Sequence, residues 1–111
     1  IGIDLSDIEK FKNKPFENNK TFYKKIFLDK EIIFFLKFKN YYEKFAGKFA
    51  LKEALIKSIH KKIDFSQIET SYLDSKPTIT ILNSKENYHF LVSLSHENNF
   101  AVAVVISEKI T

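Results

Sequence analysis

The sequence predicts an α+β domain in which an antiparallel sheet carries its helices on one side. Three observations point there. A strand-like alternation opens the chain, a helical apolar period runs over about residues 41–60, and a period of two takes over from residue 66. With 111 residues, 44% of them hydrophobic and 29% charged, the chain reads as one domain over residues 1–111, large enough for a real core.

Ile1, Ile3 and Leu5 alternate with Gly2 and Asp4, which predicts the first strand. Ser6-Asp7-Ile8-Glu9 follows as a capping box, with Ser6 at the N-cap and Glu9 at N3, so a helix begins directly after the strand. Residues 12–20 read as a loop or frayed helix end. A short helix is expected near 21–27, another opens at Asp29, and the long one covers about 41–60. Residues 66–73 and 78–82 are strands joined across the turn cluster Asp74-Ser75-Lys76-Pro77. Phe90, Val92 and Leu94 alternate in a further strand. Past the turn-prone His96-Glu97-Asn98-Asn99, residues Phe100, Val102, Val104 and Ile106 alternate with Ala101 and Ala103, completing a hairpin. The expected order is β-α-α-α-β-β-β-β.

Composition narrows the function. No apolar run approaches the roughly 18 residues of a membrane span, and no signal-peptide succession is visible. The chain opens at Ile1 rather than methionine, which leaves room for upstream residues. Without cysteine, disulfides and thiolate metal sites are excluded. Residues 1–62 hold 15 Lys against 8 acidic residues, whereas residues 63–111 hold 3 against 6. Such asymmetry suggests an anionic partner for the first half: phosphates, nucleic acid or an acidic protein. All 18 basic residues are lysine, so the forked guanidinium contacts of sequence-specific DNA readers are absent. A non-catalytic basic module binding nucleic acid or an acidic protein is the alternative that charge alone leaves standing.

The stretch FAGKFALKEALIKS, residues 45–58, poses the sharpest question. On a helical wheel Phe45, Phe49 and Ile56 form one stripe, with Ala46, Ala50 and Ala54 beside it. Leu51 and Leu55 lie opposite, so the helix should be largely enclosed. Glu53 falls at the stripe's margin, where a carboxylate needs a partner. The plain partner is Lys57, one turn on. The other is a hard cation such as Mg²⁺ shared with Asp4, which ends the first apolar strand. Spacing does not choose between them.

Three blocks resemble holo-acyl carrier protein synthase, of the 4′-phosphopantetheinyl transferase superfamily. GIDLSDIEKF is similar to its opening, FAGKFALKEALIKS to its central signature, and VSLSHENNFAVAVV to its closing hairpin, in family order and over essentially all 111 residues. The resemblance implies the 4′-phosphopantetheinyl transferase fold. It also implies transfer of 4′-phosphopantetheine from coenzyme A to a serine of apo-acyl carrier protein, releasing adenosine 3′,5′-bisphosphate. Asp4 and Glu53 match the family's Mg²⁺ ligands, and Lys57 joins them as a catalytic residue. Lys52, Lys57, His96 and Ser93 match positions near the coenzyme, although a cross-strand hydrogen bond serves Ser93 equally well. Lys10, Lys12 and Lys14 fall where the family docks its acidic carrier. Homotrimers with active sites between subunits are implied too, as is a bacterial cytoplasm, or a plastid-type organelle if a transit segment was removed. His60 and His89 match no motif. The loop over residues 59–64 is shorter than the family's and lacks its glycines, so coenzyme contacts made there do not carry over.

Overall fold

A computed structural model describes residues 1–110. Strand β1 (Gly2–Asp7) leads into helices α1 (Ile8–Lys12), α2 (Lys20–Ile26), α3 (Asp29–Phe35) and α4 (Tyr41–Ile59). Strands β2 (Ile68–Leu73), β3 (Lys76–Ile81), β4 (Asn87–Glu97) and β5 (Phe100–Ile110) complete the chain. The mixture of helices and antiparallel sheet is as expected, with two refinements. All four segments read as helical form helices between β1 and β2, one more than the order β-α-α-α-β-β-β-β counts. The strands also divide, β1-β5-β4 forming one antiparallel sheet and β2-β3 a separate hairpin. Asp74 and Ser75, both with positive φ, make the tight turn of that hairpin, and Pro77 in β3 lacks the N–H that a central strand needs.

The start of α1 differs from the expected capping box. All of Gly2–Asp7 pairs with β5, so the strand runs on through Ser6. Asp7 is the cap instead, its carboxylate accepting from the Glu9 N–H at 2.9 Å. Ser6 is buried, and its Oγ has no hydrogen-bond partner among the described residues. The Ile8 N–H is held by the Asn99 carbonyl at 2.7 Å, which ties α1 to the β4-β5 turn.

Helix α4 lies across one face of the three-stranded sheet and reaches it very closely. A Cβ at Gly2 would stand 1.9 Å from the Ala54 carbonyl oxygen, so only glycine fits there. Ala101 and Ala103 of β5, both fully buried, face the same side. Around α4 two clusters form the core. Phe11, Tyr23, Phe27, Phe35 and Phe45 make an aromatic one, with the Tyr23 and Phe45 ring centroids 4.6 Å apart. Leu51, Leu55, Ile68, Ile79 and Val105 form an aliphatic one. The opposite face of the sheet has no helix over it: Ile3 (60% exposed), Leu5 (63%), Leu91 (58%) and Ile106 (45%) are open.

Gly2→Ala should therefore force β1 away from α4. We expect a cost of about 2 kcal/mol from overpacking and a Tm lower by about 10 °C, read by thermal circular dichroism.

Candidate active site

Gly2, Asp4 and Ser6 share the side of β1 that faces α4, because side chains alternate along a strand. The seating of Ala54 on Gly2 brings the next turn of α4 beside Asp4. The Asp4 side chain is only 15% exposed, and Lys57 Nζ donates to its Oδ1 at 3.0 Å and to the Ile3 carbonyl at 3.1 Å. Lys57 thus pairs with Asp4 rather than with its helical neighbour Glu53. Glu53, partly buried, is in no ion pair among the described residues. Desolvation holds its pKa above the ordinary carboxylate value, the Asp4 charge adds to this, and Lys57 and Lys10 oppose it. Asp4, Glu53, Lys57 and Lys10 therefore share one electrostatic neighbourhood at the β1–α4 junction.

A second group lies toward the start of α4. Gly47 lets the helix meet β4, with the position of its missing Cβ 3.3 Å from Leu94 Cδ2. There a small cavity of about 30 Å³ is lined by Asn40, Glu43, Lys44, Lys48, Tyr72 and His96, among others. His96 Nδ1 is 3.9 Å from Glu43 Oε1. Lys48 is buried, its Nζ 3.9 Å from the Tyr72 ring centroid with no hydrogen-bond partner among the described residues. Burial, helped by the Lys44 charge, pulls its pKa down to about 8. A buried cation lacking an acceptor carries a desolvation cost that pairing would offset. Sequence reasoning passed over Lys48. The available signal was its place four residues before Lys52, which puts both on one face of α4.

Three expectations need revision or placement. Lys52 does not fit a coenzyme contact. It is wholly buried, and its ammonium donates to Glu31 Oε1 at 2.7 Å, the Ile26 carbonyl at 2.9 Å and the Phe65 carbonyl at 3.3 Å, which uses all three protons. Glu31 in turn accepts from the Leu28 and Thr70 N–H groups and from Thr70 Oγ1. Ser93 pairs across β5 with Val104 and lies on the open face of the sheet, away from Asp4 in the same subunit. Of the three candidate docking lysines, all exposed, Lys10 lies over the Phe49 ring at 5.0 Å and Lys14 over Phe22 at 4.6 Å, while Lys12 pairs with Glu9 at 3.6 Å.

Comparison with known proteins identifies the family. The profile of the 4′-phosphopantetheinyl transferase superfamily matches residues 1–105. The holo-acyl-carrier-protein synthase of Mycoplasma mycoides subsp. mycoides is 32% identical over 110 residues, covering 97% of this chain and 93% of that protein. That of a Geobacillus species is 34% identical over 117 residues, covering 100% and 97%. Among solved structures, the Helicobacter pylori holo-acyl-carrier-protein synthase in complex with coenzyme A superposes with a TM-score of 0.82 at 29% identity, over 96% of this chain and 98% of that one. The Bacillus anthracis synthase in complex with CoA (3′,5′-ADP) gives 0.80 at 27% identity, over 99% and 95%. The chain belongs to the 4′-phosphopantetheinyl transferase superfamily, and its full-length relatives there are holo-acyl-carrier-protein synthases.

Lys48 offers a pH test of the second group. Its folded pKa of about 8 lies below the ordinary 10.5, so between those values the unfolded chain holds a proton that the folded chain has lost. Stability from this residue therefore rises with pH across that window, and the burial penalty is full below it. Lys48→Met should be the more stable protein at pH 7.5, with its lead in urea midpoint shrinking by pH 10.

Proposed function

We infer that the chain transfers 4′-phosphopantetheine from coenzyme A to a serine of apo-acyl carrier protein. What supports this is that Asp4 and Glu53, from the first strand and the central helix, feel each other's charge and flank Lys57, in a chain that matches its relatives along its whole length. In the transfer, the serine oxygen bonds to the phosphorus bearing pantetheine. The bridging P–O bond of the diphosphate breaks, adenosine 3′,5′-bisphosphate leaves, and the hydroxyl proton is released.

Two carboxylates on separate elements suit Mg²⁺, which binds through one or two carboxylates and completes its shell with water and substrate phosphate. Among the described residues no third His, Cys, Asp or Glu joins them into a fuller protein cage. Bound there, Mg²⁺ would neutralise charge on the diphosphate. Asp4 and Glu53 would hold the ion, and Lys57, half exposed on a flexible stem, can reach a phosphate oxygen as a point charge. Lys48 and His96 line a separate pocket suited to a further phosphate of the coenzyme. Lys10, Lys12 and Lys14 would meet the acidic carrier, chiefly speeding encounter in a salt-sensitive way.

The two groups lie at opposite edges of the sheet, Asp4 on β1 and His96 on β4, with β5 between them. A homotrimer whose subunits meet through the open apolar face and share sites at their boundaries would supply both edges to one coenzyme. Ile3, Leu5, Leu91 and Ile106 give such a face its apolar content. Among the described residues no helix is long and apolar enough to cross a membrane. With bacterial proteins among its relatives, we assign the enzyme to a bacterial cytoplasm, or to a plastid-type organelle if a transit segment was removed.

Incubation with apo-carrier, coenzyme A and Mg²⁺ should add one phosphopantetheine to the carrier by mass spectrometry, and Glu53→Gln should slow this by at least about 100-fold. An unmodified carrier, or a fully active variant, overturns the reading. For assembly, sedimentation velocity should find a trimer in the parent chain and monomer in Leu5→Lys.

A further inference from the structure

The contact between Lys57 and Asp4 points beyond the site's composition to how it is filled. Asp4 is largely buried beneath α4, and the side-chain partner it has is Lys57, at 3.0 Å. The lysine is fixed by that carboxylate and by the Ile3 carbonyl, two exposed hydrogen bonds that a flexible four-carbon stem can surrender. Glu53, four residues earlier on the same helix, stays outside this bond while sharing its electrostatic field. One ammonium thus sits on one of two carboxylates that would otherwise repel each other.

We propose that Lys57 is a built-in counterion that occupies the Asp4 side of the cation seat in the free protein and is displaced from Asp4 when a divalent cation binds. This rests on the reading of Asp4 and Glu53 as a metal seat. The charges make the exchange useful. With Lys57 on Asp4, the trio Asp4, Glu53 and Lys57 carries one net negative charge rather than the two of the bare carboxylates, so it is less hostile to an arriving diphosphate. Once a divalent cation takes Asp4, the lysine's acceptor is lost to it by charge competition, and the ammonium becomes available to a phosphate oxygen. The same residue then serves in two places: it weakens cation binding in the empty site and strengthens anion binding in the filled one. Nearby Lys10 biases Glu53 in the same sense but makes no bond to either carboxylate, so it does not take part in the exchange.

The test measures cation binding directly. Mn²⁺ is titrated into the full chain without coenzyme A, and free Mn²⁺ is read by electron paramagnetic resonance. Removing a positive charge within hydrogen-bond reach of the seat should tighten Mn²⁺ binding by about tenfold in both Lys57→Met and Lys57→Gln. Lys57→Arg, which keeps the charge, should stay within about twofold of the parent. Coenzyme A affinity at saturating Mn²⁺ should fall in Met and Gln variants, so the two effects have opposite signs. Unchanged or weaker Mn²⁺ binding in both neutral variants, when folded by circular dichroism, overturns the exchange while leaving the metal seat intact. Mn²⁺ binding insensitive to Asp4→Asn and Glu53→Gln overturns both the seat and the exchange.

Discussion

The backbone of α4 runs so close to β1 that residue 2 has no room for a side chain, and the rest of the site follows from that approach. Alanines at 101 and 103 of β5 continue the low surface on which the helix rests. Two residues along β1 from Gly2, Asp4 faces the same way and meets the turn of α4 that carries Glu53 and Lys57. A larger residue at any of these contact points would lift the helix and separate two carboxylates that belong to opposite ends of the first half of the chain. The tolerance is small because a packed interior does not stretch to absorb an extra methyl.

Three lysines of α4 show how location, rather than residue type, sets chemistry. Lys52 points into the junction of α3, α4 and β2, where Glu31 and two carbonyls take its protons. Such a buried pair adds little net stability over an apolar equivalent, but it penalises any arrangement that leaves one member alone. It therefore fixes how α3 and the β2 hairpin sit against the helix. Lys48, one turn earlier, lies over the face of Tyr72 and holds its proton loosely. Lys57 reaches out of the helix to a strand 53 residues away. The first is locked into the core, the second is buried without an acceptor among the described residues, and the third balances a carboxylate.

Both faces of the three-stranded sheet are apolar, and the bulkier set is the uncovered one. Ala101, Ala103 and Val105 lie under the helix, while Phe100 and Ile106 of the same strand are exposed. This strand presents its small residues to the helix and leaves its large ones on the open side. The helix demands a low surface on one side. In the proposed homotrimer the other side would meet further copies of the chain and bring the β1 and β4 edges together.

Much of this was legible in the residues themselves. Periods of two and 3.6 located the strands and the long helix, since alternation and helical repeat are local properties of the backbone. The blocks around Asp4, Glu53 and His96 carried the family and with it the chemistry. Local pattern could not decide the partner of each charge. Glu53 and Lys57 stand four apart on one helix, and the wheel pairs them. Asp4 arrives from the first strand and takes the lysine. Likewise Ser6 looked like a cap until strand pairing with β5 carried the chain past it to Asp7. Lys52 read as a phosphate ligand until α3 supplied Glu31. The sequence by itself determined which groups are charged and which segments are helix or strand. Only the tertiary structure decided which charges meet, because that depends on distances between elements remote in the chain, which no local spacing encodes.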